Sequence, residues 1–206
     1  MVTADGDAAG AIRTLLQRHQ ALSIRKVTAQ VDRYVGRDSG CYLRAHDYLR
    51  SFIRQFNYAL VVFDRHGCGN EGQPPVALEE EVEERLRRNG WADRSAAIVL
   101  DPELESWVWS DSPEVDRTLG WAERSPKLRS WLQEQRLWPA EARKPHGPKM
   151  AMARALKAVG MRRSPATFRQ LAERVSLRRC SDPAFIKLKT TLQRWFPVER
   201  NRKGVS

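Results

Sequence analysis

Three aspartates, Asp5, Asp64 and Asp101, each stand directly after a short apolar run: Met1 to Ala4, Tyr58 to Phe63 and Ala96 to Leu100. If these runs are strands of one sheet, their ends bring the three carboxylates together, because open α/β sheets build sites where loops leave neighbouring strands. Converging carboxylates suit Mg²⁺ or Mn²⁺, hard ions that take oxygen ligands and keep positions for water and phosphate. Around Asp64 the segment Asp64-Arg65-His66-Gly67-Cys68-Gly69-Asn70 adds a histidine able to bind a metal or accept a proton. After Leu100 the run Asp101-Pro102-Glu103-Leu104-Glu105 adds two more carboxylates. The catalytic candidates are therefore Asp5, Asp64, Glu103 and Glu105, and the metal candidates Asp64, His66 and Asp101. A plain structural role competes for the last segment: Asp101 as helix N-cap, Pro102 at the first helical position and acidic residues in the first turn suit any helix start. His66 likewise has an ordinary alternative as a solvated loop residue.

Charge points to what such a site would act on. Of 206 residues, 36 are Lys or Arg and 25 Asp or Glu, for a net charge of +11, but the excess is unevenly spread. Residues 1–120 hold 15 basic and 19 acidic side chains, whereas residues 121–206 hold 21 and 6. A basic C-terminal portion attracts polyanions by counterion release, and nucleic acid is the commonest of these in cells, with DNA ahead of RNA here. The nucleic-acid candidates are Arg143, Lys144 and Lys149 in a Pro- and Gly-broken stretch, and the pairs Arg162-Arg163 and Arg178-Arg179. Phe168 and Trp195 read as core residues rather than as platforms for bases.

The elements that must position these residues follow from periodicity. A strand at Met1 to Ala4 leads into a helix through Gln20, and the alternation from Arg25 to Val35 predicts a second strand. An amphipathic helix runs from about Tyr42 to Phe56. The run Tyr58 to Phe63 is apolar throughout and β-branched at its centre, which suits the central strand of a parallel sheet. Val76 to Asn89 is a helix stopped by Gly90, Ala96 to Leu100 is a fourth strand, and a helix is expected from Asp101 to about Ser110, with Trp107 in the core. Alternating strands and helices predict an open, mainly parallel sheet with crossover helices over residues 1–110. Residues 111–206 read as a basic, all-helical region, with helices at 113–119, 126–137, 149–159, 165–175 and 183–195.

Composition excludes other classes. The strongest apolar run is bounded by Asn57 and Asp64, far short of the roughly 20 residues of a membrane span. Cys41, Cys68 and Cys180 are odd in number and widely spaced, which gives neither a disulfide framework nor a CxxC zinc signature. The first residues lack the basic and apolar stretches of a signal peptide, so a cytoplasmic protein is expected. No Walker A or dinucleotide fingerprint is present.

This layout resembles the Toprim fold of primases, topoisomerases and the nucleases of the overcoming-lysogenization-defect type. The resemblance lies in Asp5-Gly6, where the family has Glu-Gly, and Asp64-Arg65-His66, where it has Asp-x-Asp. The stretch Pro102-Glu103-Leu104-Glu105-Ser106-Trp107 is similar to the Pro-Glu-x-Glu-x-Trp of Toprim-like proteins of bacterial anti-phage systems, among them components of the methylation-associated defence system. It implies a Mg²⁺-dependent nuclease in which Asp64 and His66 hold the ion, Asp5 assists proton transfer, and Glu103 or Glu105 supports the ion's ligands. Asp5 is one methylene shorter than glutamate, and His66 removes a negative charge. Both departures leave open a second class: a non-catalytic subunit that binds nucleic acid or joins other defence proteins.

Overall fold

The apolar runs near 60 and 98 have no polar face to offer water, so each must be covered on two sides. The computed structural model, which describes residues 1–178 and 180–198, covers both. Four strands form one open, all-parallel sheet: β1 (Val2–Thr3), β2 (Asp32–Arg33), β3 (Ala59–Asp64) and β4 (Ser95–Leu100), in the order β2-β1-β3-β4. Alternation along β3 and β4 divides the core. Leu60, Val62, Ala96, Ile98 and Leu100 face one layer, and Ala59, Val61, Phe63, Ala97 and Val99 face the other.

The second layer consists of α3 (Arg37–Arg50) and α4 (Pro75–Leu86). The first begins with α1 (Gly6–Gln17) and the short α2 (His19–Leu22), and is completed by C-terminal helices. These are α5 (Pro113–Thr118), α6 (Leu128–Glu134), α7 (Pro148–Ala158), α8 (Pro165–Arg174) and α9 (Pro183–Trp195). Proline opens four of these five, as its fixed φ and missing N–H favour at the first helical position. Residues of α1, α8 and α9 share one apolar cluster with Leu60 and Ile98, so the core runs uninterrupted across position 110. Among the described residues no helix is long and apolar enough to cross a membrane.

Two expectations need correction. The strand expected over 25–35 shrinks to Asp32–Arg33, because its neighbour β1 offers only Val2 and Thr3 as ladder partners. The helix expected from Asp101 to Ser110 is a single 3₁₀ turn, Leu104–Trp107. Asp101 does not cap it: its carboxylate lies 3.0 Å from Arg65 Nε, and the Leu104 N–H donates instead to Asp64 Oδ1 at 3.0 Å. Trp107 nevertheless packs against the core, as expected. Trp109 is the buried tryptophan, edge-on to Trp138, whereas Trp107 is half-buried against Phe185.

The free edge of β4 is closed by side chains. The N–H groups of Ala97 and Val99 donate to Glu83 Oε1 and Glu79 Oε1 of α4, at 2.9 and 3.0 Å. Lys187 of α9 contacts both carboxylates, at 2.8 and 3.0 Å. Edge donors satisfied in this way are not available to another chain's strand.

Candidate functional site

The chain passes from β1 to β2 on one side and then to β3 on the other, so the strand order switches direction between β1 and β3. Helical crossovers leave from opposite sides there, the place at the carboxyl ends of the strands where open α/β sheets form their crevice. Asp5 follows β1 and Asp64 ends β3. The topology thus juxtaposes two of the expected catalytic residues.

Each carboxylate is held by backbone. Asp5 is the N-cap of α1 and accepts the Ala8 N–H through Oδ1 at 2.8 Å, which leaves its second oxygen out of this bond. Asp64 Oδ1 takes the Leu104 N–H, and the Asp64 N–H donates to Asp38 Oδ1 at 2.8 Å. Burial, and after it the charges of Asp38, Glu105 and Asp5, push the Asp64 carboxyl up from 3.8 to about 9. Asp38 is also raised, chiefly by burial, with the N–H of Asp64 and Lys149 acting against it.

The 3₁₀ turn after β4 delivers two glutamates of different character. Glu103, buried, accepts the Lys149 N–H through Oε1 at 2.9 Å in the first turn of α7, while Lys149 Nζ lies 3.7 Å from its other oxygen. It therefore neutralises the positive end of α7. Glu105 is 1% exposed, and no N–H or O–H is aligned on its Oε1. Its compensation is Arg163, whose Nη2 lies 3.0 Å from Glu105 Oε1 and 2.7 Å from Asp7 Oδ2. Burial raises both Asp7 and Glu105, and Arg163 opposes that rise.

The structure therefore gathers Asp5, Asp64, Glu103, Glu105, Lys149 and Arg163 from the sequence expectations, and adds Asp7 and Asp38. Asp7 is visible in the sequence only as a second acid in a helix start, and Asp38 as the acid opening α3. Neither follows a strand, so the strand-end rule passes over them. Asp101 is not part of the group, since its side chain is half-exposed and turned to Arg65. His66 sits on the rim, 75% exposed, with Nδ1 3.9 Å from Glu103 Oε2.

The remaining basic candidates separate. Lys144 is tied at 2.5 Å to buried Asp182, which also accepts the Trp107 Nε1–H and caps α9 through the Phe185 N–H. Arg143 lines a groove elsewhere, beside Trp109, Asp111 and Arg129. Arg162 and Arg178 are exposed, and Arg179 lies outside the described residues. Phe168 and Trp195 are buried, as expected.

Buried hard oxygen donors with like charges around them are a donor set that a divalent cation favours, since its charge offsets their desolvation and repulsion. Among the described residues no three His, Cys, Asp or Glu side chains already form a cage for a metal ion. The fit therefore rests on donor type and excess charge. No family model, curated protein or solved structure matches this chain.

Proposed function

We propose that this chain is a Mg²⁺- or Mn²⁺-dependent nuclease of Toprim type, acting on nucleic acid, DNA ahead of RNA, within bacterial anti-phage defence. The reading is carried by one observation: Asp64, at the switch point of a parallel sheet, is pushed up to about 9 by burial and, after it, by the charges of Asp38, Glu105 and Asp5. A structural carboxylate is ordinarily paired or hydrogen-bonded into its charged form, whereas a perturbed one in a crevice is a mark of function. The defence setting is supported by the motif from Pro102 to Trp107.

In this reading Asp64 and Glu105 would hold the ion, with Asp7 and Asp38 beside them. A bound Mg²⁺ supplies charge stabilisation at a phosphate oxygen. Asp5, fixed through one oxygen by its cap bond, has the other available for a proton. Lys149, exposed beside Glu103, supplies positive charge for the phosphate backbone, and exposed Arg162 is a further contact for it. Glu103 acts by positioning α7. A cytoplasmic protein fits this substrate.

One observation favours a second reading, a subunit that binds nucleic acid or other defence proteins without cutting. His66 stands at the rim, where the Asp-x-Asp pattern has its second carboxylate, and Asp101 is paired with Arg65 outside the cluster. Labelled single- and double-stranded DNA and RNA, incubated with the protein and Mg²⁺ or Mn²⁺, discriminate the two. Cleavage lost in Asp64→Ala and in chelator supports the nuclease. Salt-sensitive binding with no cleavage supports the subunit.

A further inference from the structure

Arg163 differs from every other cation near the acidic crevice. It comes from the non-helical segment between α7 and α8, and a single nitrogen, Nη2, contacts two carboxylates from separate elements, Asp7 of α1 and Glu105 of the 3₁₀ turn. The guanidinium packs over the Phe168 ring at 5.0 Å, and its side chain remains 39% exposed. Lys149, by contrast, belongs to a helix whose own backbone holds Glu103.

The contact with Glu105 is one of charge without direction. Glu105 Oε1 is fully buried yet has no aligned donor, although Arg163 Nη2 lies at 3.0 Å. An arginine that forms a directed, two-pronged pair with a carboxylate is hard to displace, and this one lacks that geometry. A divalent ion brings twice the charge to the same oxygens. The guanidinium is 39% exposed, so once freed from them it is accessible to a polyanion.

We propose that Arg163 is a displaceable counterion: it neutralises Asp7 and Glu105 in the metal-free protein, is released when a divalent cation takes those carboxylates, and then contacts the substrate phosphate. The inference rests on the metal-dependent reading of the site. It makes metal and nucleic-acid binding mutually reinforcing, since the ion liberates a cation for the polyanion.

The test is Mn²⁺ binding by the full chain, followed by calorimetry and by the rise in melting temperature, in wild type, Arg163→Gln, Arg163→Lys and Asp64→Ala. Loss of the competing charge is expected to tighten Mn²⁺ binding by about tenfold in Arg163→Gln, or ~1.4 kcal/mol. Arg163→Lys, which keeps the charge on a shorter reach, should fall between it and wild type. If Arg163→Gln is less stable, Mn²⁺ should raise its melting temperature by more than it raises that of wild type. With Mn²⁺ saturating, Arg163→Gln should bind short DNA more weakly than wild type. Equal or weaker Mn²⁺ binding by Arg163→Gln, with wild-type binding intact and lost in Asp64→Ala, overturns the counterion and leaves the metal site standing. Failure of wild type itself to bind Mn²⁺ overturns both.

Discussion

The Asp38 carboxylate accepts the backbone N–H of Asp64 at 2.8 Å, so an acid from the first turn of α3 lies directly behind the acid that ends β3. One interaction ties the loop after β3 to the opposite layer. It also places a second negative charge beside a carboxyl group already disfavoured by burial. Asp64 is therefore a site of stored electrostatic cost, and its removal should be measurable.

Asp64→Asn keeps an oxygen for the Leu104 N–H and removes the charge. Because the folded value is raised to about 9 from 3.8, wild type receives this group's full support only below about pH 4, and loses it progressively as pH rises toward 9. The variant has no such loss. Its stability relative to wild type in urea unfolding should rise steadily from pH 4 to pH 8. A constant difference across that range would contradict the raised carboxyl group.

Asp182 serves three partners at once: the Phe185 N–H at the start of α9, Trp107 Nε1–H and Lys144 Nζ. Asp182→Ala should destabilise the chain by about 3 kcal/mol, from the lost cap and the stranded donors. Asp182→Asn retains an acceptor for the cap and should recover part of this. Thermal unfolding followed by circular dichroism measures both.

Lys187→Met leaves Glu79 and Glu83 at the edge of β4 without their cation. Glu79 is buried and Lys187 one-third exposed, so the loss should be about 2 kcal/mol, below the range for fully buried pairs. Its urea midpoint should fall while wild-type secondary structure is retained. A midpoint unchanged from wild type would mean that the α4 carboxylates hold the edge unaided.

The basic residues should divide by behaviour in nucleic-acid binding. Arg162→Ala and Arg178→Ala remove exposed charges, and each should weaken binding and lower the slope of log affinity against log salt by about 1. Lys144→Ala breaks the contact with Asp182 and should lower stability while leaving the slope unchanged. Fluorescence anisotropy across a salt series reads the difference.

Strand runs 58–63 and 96–100 were legible because a strand covered on both faces must be apolar throughout, and the structure places β3 and β4 within one residue of them. Three of the five C-terminal helices, α5, α8 and α9, are legible from their opening prolines. The strand from 25 to 35 and the helix after Asp101 were misjudged for a shared reason: local alternation and capping chemistry describe what a segment can form alone. How many ladder partners β1 offers, and where Asp101 turns, depend on distant residues.

The candidate site divides in the same way. Sequence alone determined that acids follow the strands and that the C-terminal portion is basic, because strand ends and charge counts are local properties. The fold decided which acids meet. Asp38, Asp7 and Arg163 join the crevice through α3, α1 and the α7–α8 segment, while Asp101 and Lys144 are drawn into pairs elsewhere. No spacing rule carries that information, because a contact between positions 7 and 163 exists only once a sheet and two helical layers have packed.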